Sequence, residues 1–434
     1  MFFFPAWRAP RVHPTPTTDS GTTGGPVIDR RRFLVIAGAA LAAPVVLWVG
    51  ADALSDEPRD RPGAPAGRPP VPSTRELLAR TGESLVAPTG TFTTPYRQDA
   101  PPDDTTWDMR GARFVGYFDA DAVYQTGEFA GGSTEAQRNN RPILLGRDRP
   151  VAGAAVVGGR VDGAQPETLT WERMKYGQQV QDDTDRWIDA GRPSGVDPHA
   201  GQIGNRNQDG DPRIYIAPDA WAVWDGMRVR NTHDGIGLYG DPDRGFGACY
   251  IRNCWLRGIR DDAIENDDWQ ALRVSDTLVE GTYTFLSCQN HALDGMRVAQ
   301  SVRVEDSIVR LRPFPGGFKT RSTDAVHGQI YKSQDNAPAL RLRNVVIASE
   351  RFRVPSGDGP RLPERRGRIE DRYEDVTLVW LGRGDYPGNV PDGCRLTRDP
   401  AVYEDAVADW KARHGVVGEN VDMARMLDPA PVPR

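Results

Sequence analysis

From about residue 140 onward, apolar and polar residues alternate with a period of two in short runs separated by Gly, Pro, Asn and Asp. This is the pattern of half-buried strands and not of helices. Six runs share one form: Arg228-Val229-Arg230-Asn231, Tyr250-Ile251-Arg252-Asn253, Arg273-Val274-Ser275-Asp276, Arg303-Val304-Glu305-Asp306, Arg341-Leu342-Arg343-Asn344 and Arg372-Tyr373-Glu374-Asp375. Each places an inward apolar residue between two outward polar ones and ends on Asn or Asp, residues that accept a left-handed turn conformation. The last five continue into a second apolar stretch, such as Trp255-Leu256 or Leu378-Val379.

The Asn/Asp positions lie 22, 23, 30, 38 and 31 residues apart. A recurring unit of about 22 residues predicts one turn of a parallel β-helix, and the longer spacings predict that turn plus a surface insertion. Arg141 to Leu145 and Ala155 to Gly163 read as the first coils, followed by a polar excursion from Gln165 to Arg213. Asp399-Pro400-Ala401-Val402 opens a helix with apolar Val402, Tyr403, Ala406, Val407 and Trp410, expected to cover the unpaired edge of the last coil. The fold class is therefore all-β, a single-stranded right-handed parallel β-helix with an irregular N-terminal region and a short C-terminal capping helix.

The N-terminal fifty residues change the picture. Asp29-Arg30-Arg31-Arg32-Phe33-Leu34-Val35 precedes an apolar run to Val49 and the pattern Ala51-Asp52-Ala53. The run resembles a twin-arginine export signal, although Asp29 stands where Ser or Thr is usual. An uncleaved membrane anchor is the competing reading, and both place the rest of the chain outside the cytoplasm. The organisation expected is signal or anchor 1–53, disordered Pro-rich linker 54–106, β-helix 107–398, and C-terminal helix and tail 399–434.

Composition describes a turn-rich, polar chain, with Gly 46, Pro 36 and mean hydropathy −0.55. Lys+Arg 54 against Asp+Glu 60 gives a net charge of −6, which argues against nucleic acid or an anionic membrane as partner; a polyanion binder would need a local basic stripe. Cys249, Cys254, Cys288 and Cys394 form an even set, so one or two disulfides are expected in an oxidising compartment. No CxxC spacing occurs, which argues against zinc.

On the stretches Gly258 to Asp268 and His327 to Ile347, the chain resembles the pectin-lyase-like superfamily of right-handed parallel β-helices, over about Pro142 to Leu381. The resemblance implies a carbohydrate-active or glycan-binding protein, and fold alone does not give the reaction. Its lyases imply one arrangement: Asp261, Asp262, Glu265 and Asp267 holding Ca²⁺, with Lys319 or Arg321 as the base on an acidic, uronate polysaccharide. Its polygalacturonases imply another: the order Asn231-Thr232-His233-Asp234-Gly235, Asp261-Asp262, His291 and Lys319-Thr320-Arg321 suggests inverting hydrolysis by Asp234 and Asp262. His233 interrupts the first of those motifs and no glycines flank His291.

His291, His327, Lys332 and Trp269 are the expected substrate contacts, and Trp221, Trp224, Trp255 and Tyr283 are further aromatic candidates for sugar stacking. The bland reading makes the acidic run a solvated turn, the aromatics core, and the protein a non-catalytic cell-envelope module that binds glycan or protein. Polysaccharide is the partner expected, with a membrane contacted only through an uncleaved N-terminal segment.

Overall fold

A computed structural model describes residues 71–81, 84–92, 95–115, 142–163, 189–190, 212–241, 244–290, 300–315, 325–351, 360–366 and 370–431. All of them belong to the compact unit Trp48–Arg434. The expected export signal, His291, Lys319, Arg321 and the polar excursion lie outside the described residues, apart from Asp189, Ala190, Pro212 and Arg213 of the excursion. No helix among the described residues is long and apolar enough to cross a membrane.

The strands stack in three parallel ladders. The first runs through β1 (Leu85–Val86), β4 (Thr106–Asp108), β7 (Ala154–Val157), β10 (Trp221–Asp225), β13 (Ala248–Arg252), β15 (Ala271–Ser275), β17 (Ser301–Glu305) and the first parts of β20 (Ala339–Ser349) and β21 (Arg372–Trp380). The second runs through β2 (Gly90–Phe92), β5 (Ala112–Val115), β8 (Arg160–Asp162), β11 (Arg228–Arg230), the first parts of β14 (Trp255–Glu265) and β16 (Leu278–Cys288), β18 (Ile308–Leu311), the ends of β20 and β21, and β22 (Cys394–Thr397). The third joins β3 (Tyr96–Gln98), β6 (Ile143–Leu145), β9 (Arg213–Tyr215), β12 (Ile236–Tyr239), the ends of β14 and β16, and β19 (Tyr331–Ser333).

From β1 to β19 successive circuits visit the ladders in this order, which is the expected parallel β-helix. Identical register from coil to coil stacks like on like. Trp107, Val156, Trp224, Ile251, Val274, Val304 and Leu342 form one buried inward column. Phe92, Phe114, Val161, Val229, Leu256, Val279, Val309 and Ile347 form a second, opened by a stacked Phe92–Phe114 pair with centroids 5.0 Å apart. Because each coil covers its neighbours' apolar rows, the main core among the described residues is one continuous stack from Trp107 to Leu378.

The six strand-ending residues all have positive φ, from 43° at Asp276 to 55° at Asn253, as a left-handed corner requires. One is misplaced by the sequence pattern. Arg228–Arg230 pairs with Trp255–Arg257 in the second ladder, so Asn231 turns the second corner and stacks beside Gly258; the counterpart of Asn253 at the first corner is Gly226, φ 70°. Both corners need a left-handed residue after a polar-apolar-polar strand, so a four-residue motif does not distinguish them.

Three further expectations are corrected. The solenoid begins at Leu85, inside the expected linker, and β1, β2 and β3 pair with the next coil; before them α1 (Thr74–Leu78) starts in a capping box of Ser73 and Glu76. The four cysteines are free thiols: Cys249 on β13 and Cys288 on β16 are buried strand residues, Cys254 is buried at the corner between β13 and β14, and Cys394 is half-buried at the start of β22. The C-terminal helix, α2 (Ala401–Arg413), lies along the side of the second ladder over Trp255, Leu278 and Ile308 and does not close the end. The hairpin β23 (Val416–Val417)–β24 (Asn420–Val421) and α3 (Met423–Leu427) carry this strap back toward the early coils, where Leu427 packs on Gly226.

Candidate functional site

The connection from the second ladder to the third varies most in length. It is tight in the β11–β12 and β14 coils, and it carries long insertions between Val115 and Ile143, Asp162 and Arg213, and Leu311 and Tyr331. Insertions at equivalent corners of stacked coils emerge on one side of the solenoid. Two of the expected catalytic residues, Asp234 and Asp262, meet at this corner, while Lys319 and Arg321 fall outside the described residues. His233 and Asp234 stand between β11 and β12, and Asp261 and Asp262 occupy the equivalent bend of β14 in the next coil.

Backbone hydrogen bonds fix the alignment: Asp261 N donates to His233 O at 2.7 Å and Gly235 N to Asp262 O at 2.9 Å. Asp234 Oδ1 accepts from Asp262 N at 3.0 Å. Gly235 permits this closeness, since a Cβ there would lie 2.2 Å from the carbonyl oxygen of Ala263.

His233 lies between two carboxylates, with Nδ1 2.9 Å from Asp234 Oδ2 and Nε2 3.7 Å from Asp261 Oδ2. His233, Asp234 and Asp261 each offer one ligand atom, all within 4.8 Å of one another, and all three are buried. Two strands further along the third ladder, Lys332 on β19 reaches back over the β16 coil and places Nζ 2.5 Å from Asp262 Oδ2. Asp262 is 4% exposed and Lys332 23%, so the pair opens to solvent on the lysine side. Burial pulls the Lys332 ammonium toward neutrality, but Asp262, Asp261 and Asp267 outweigh it and hold its pKa well above the ordinary lysine value.

The other expected metal ligands have hydrogen-bond partners of their own. Glu265 accepts from Arg213 Nη2 at 2.7 Å and from the Tyr239 hydroxyl at 2.6 Å, and the Arg213 guanidinium lies 3.9 Å from the Tyr239 ring centroid. Asp267 accepts from Ser287 Oγ at 2.6 Å and Gln289 N at 2.9 Å. Burial, helped by the Glu265 charge, pushes the Asp267 carboxyl up to about 6, and burial does the same for Asp268. Among the described residues, the expected Ca²⁺ set of Asp261, Asp262, Glu265 and Asp267 thus divides between separate partners, and the ligand-distance group contains His233 and Asp234 in its place.

Two expected substrate contacts are corrected. His327 is fully buried; its Nδ1 pairs with Gly328 O at 2.9 Å and its Nε2 accepts from Glu350 N at 3.2 Å, so burial lowers its pKa to about 4 and it stays neutral. Trp269 is also fully buried, at φ 55°, and donates to Cys288 O at 3.0 Å. Trp224 fills the core and Trp255 is covered by α2.

Arg213, Tyr215 and Tyr239 were not singled out from the sequence. Tyr215 and Tyr239 are register partners with centroids 5.3 Å apart, and both are partly exposed beside Glu265. Phe314 and Val326 form an antiparallel bridge, and the Arg260 guanidinium lies 4.4 Å from the Phe314 ring centroid.

No family model matches the chain, and no curated protein matches it by sequence. Among solved structures, a family 28 exopolygalacturonase of Yersinia enterocolitica is similar over 75% of this chain and 74% of that chain, with 11% sequence identity and a TM-score of 0.28. A likeness of that size fixes no residue role.

Proposed function

We propose that this protein is an exported β-helix that binds an acidic, uronate-type polysaccharide along the third ladder and hydrolyses it at the corner leading into that ladder. The observation that carries the reading is the meeting of Asp234, Asp261 and Asp262 from adjacent coils with Lys332, beside a carboxyl, Asp267, whose pKa is pushed up to about 6. Carboxyl groups with separated protonation behaviour are what acid–base cleavage of a glycosidic bond needs. Asp267 is protonated in mildly acidic medium and can give its proton to the departing glycosidic oxygen. Asp262, ionised in its pair with Lys332, is the acceptor for the proton of the attacking water. Lys332, the partly exposed cation of the group, attracts the uronate carboxylate, and Tyr215 and Tyr239 offer apolar faces to sugar rings.

Metal-assisted elimination is the second reading, favoured by the His233, Asp234 and Asp261 group. A ring nitrogen in the set suits a transition metal better than Ca²⁺, whose ligands are oxygens; a bound cation would stabilise charge developing on the uronate carboxylate. Lys332 is a poor base for this chemistry because its proton is held too firmly, which leaves Lys319 or Arg321 for the role.

Incubation with polygalacturonate, with and without a chelator, separates the readings. Hydrolysis predicts new reducing ends without an ultraviolet-absorbing unsaturated product, insensitivity to chelation, and a loss of about 10²-fold or more in Asp262→Asn. Unsaturated, chelator-sensitive product would favour elimination. Saturable binding with no product from any acidic glycan would leave a non-catalytic envelope module.

A further inference from the structure

The outward face of the second ladder carries a second charged site of opposite sign. Arg113, Arg160 and Arg228 are register partners on successive coils, so their side chains form one column at strand spacing, about 4.8 Å apart. Arg230 and Arg257 stand in the neighbouring column, paired with each other in register. Arg160, Arg228, Arg230 and Arg257 line an open, shallow cavity together with Trp255 and with Glu419 from the C-terminal hairpin.

The acids present do not balance these cations. Asp162 accepts from Arg230 at 2.6 Å and lies 3.5 Å from Arg160 and 3.9 Å from Arg113. Glu419 bonds Arg230 at 2.6 Å and Arg257 at 2.7 Å. Among the described residues, five guanidiniums thus face two carboxylates. Among the described residues Arg228 has no ion pair, and its buried Nε has no hydrogen-bond partner. Burial and the charges of Arg160 and Arg230 lower its pKa to about 10, so it remains a cation at neutral pH without a counter-charge of its own. Such a group is stabilised by an anion from outside.

Glu419 shows which anion the rim accepts. It is 52% exposed, sits in the two-residue turn between β23 and β24, and spans Arg230 and Arg257 with one carboxylate oxygen each. We propose that the cavity is an oxyanion-binding site in which Arg160, Arg228 and Arg230 hold a carboxylate or phosphate group of a ligand, and that Glu419 is a tethered carboxylate competing for its rim. The site lies on the second ladder, apart from the acidic corner, and does not depend on the hydrolytic reading.

Calorimetric titration of the full chain with inorganic phosphate and, separately, with monomeric galacturonate, at constant ionic strength in chloride, tests the proposal. Saturable one-site binding is expected for at least one of them, and the arm that binds identifies the source of the oxyanion. Arg228→Met, which keeps length and removes charge, should weaken it about tenfold or more. Glu419→Gln should tighten it about three- to fivefold by removing the competing carboxylate. Unchanged affinity in a folded Arg228→Met, or the absence of saturable binding of both ligands in wild type and Glu419→Gln alike, would overturn it. Should Arg228→Met fail to fold, the Glu419→Gln comparison decides alone: equal or weaker binding there removes the proposal.

Discussion

Lys332 Nζ and Asp262 Oδ2 lie 2.5 Å apart although a whole coil separates their strands. The pair ties the third ladder across that coil at the point where the candidate site forms. Its acid member is buried and its base member partly exposed, so the two substitutions have unequal consequences.

Removing the lysine leaves a carboxylate in a site from which water is largely excluded. Lys332→Met should lower stability by about 2–3 kcal/mol, below the full cost of breaking a buried pair because Lys332 is in part solvated. Lys332→Met combined with Asp262→Asn should recover much of that loss, which urea denaturation of the four proteins measures. The lysine pKa is raised on folding, so its contribution is complete below the ordinary lysine value and disappears as pH rises through the higher folded value. A Lys332→Met variant as stable as wild type at neutral pH, where both partners are charged, would contradict the pairing.

Asp267 and Asp268 have the opposite linkage. A carboxyl raised to about 6 in the folded protein binds a proton there that the unfolded chain has already released. Each therefore costs nothing below the unfolded value near 4 and costs increasingly as pH rises to about 6. Asp267→Asn and Asp268→Asn should each be more stable than wild type at pH 7, by roughly 1–2 kcal/mol, and equal to it near pH 3.5. Thermal melting across that range checks both, and if Asp267 is the acid of the reaction, Asp267→Asn also loses activity while gaining stability.

His327 contributes in the same window with reversed sign. Its folded pKa of about 4 lies below the unfolded value near 6.5, so the unfolded state takes up the proton first and stability falls as pH drops from about 6.5 to 4. Replacement by Gln, whose amide can meet Gly328 O and Glu350 N, should flatten that fall relative to wild type by up to about 3 kcal/mol. Equal pH profiles for the two proteins would show that the imidazole is already charged in the fold.

These residues also mark what the sequence made legible. The solenoid was readable because the corner residues Asn253, Asp276, Asp306, Asn344 and Asp375 recur after strands of one pattern, and each coil repeats the same local physics. The proximity of Asp234 to Asp261 and Asp262 was readable for the same reason: only one short coil separates them. Lys332 was named, but not its pairing with Asp262, because insertions of unequal length between them hide the register. The Arg113, Arg160 and Arg228 column was missed on the same ground, its members being 47 and 68 residues apart. A basic stripe was a condition set for polyanion binding, and it is present only once the coils are stacked. Trp269 and His327 were misassigned because residue type reports chemistry and not burial.

The corner column predicts a substitution pattern. Asp306 has φ 50°, a conformation in which a β-branched side chain is strained and glycine is not. Asp306→Gly should stay within about 0.5 kcal/mol of wild type or cost slightly more through lost contacts, whereas Asp306→Val should cost about 1–3 kcal/mol. Equal denaturation midpoints for the two variants would mean that the corner relaxes to another conformation.

The C-terminal strap makes the last prediction. Trp410 is fully buried, donates from Nε1 to Asp276 O at 3.1 Å and stacks on His414, while Arg413 grips Asp276 with two nitrogens at 2.9 and 3.0 Å. Burial alone would raise the Asp276 carboxyl pKa, but the hydrogen bonds from His414 and Arg413 prevail and lower it. The latch is thus present above the unfolded value of an aspartate and weakens as pH falls through the lower folded value. Trp410→Ala should cost about 3–5 kcal/mol, most of it local to the strap if the solenoid coils hold one another by their own ladders. The expected signature is tryptic cleavage between residues 401 and 431 at protease levels that leave the wild type intact, before the main thermal transition. Because Glu419 rides on the same strap, that variant should also bind phosphate or galacturonate more tightly at the arginine cavity if the oxyanion site is real. Release of the strap without any change in anion affinity would separate the two and leave the strap as a purely structural brace.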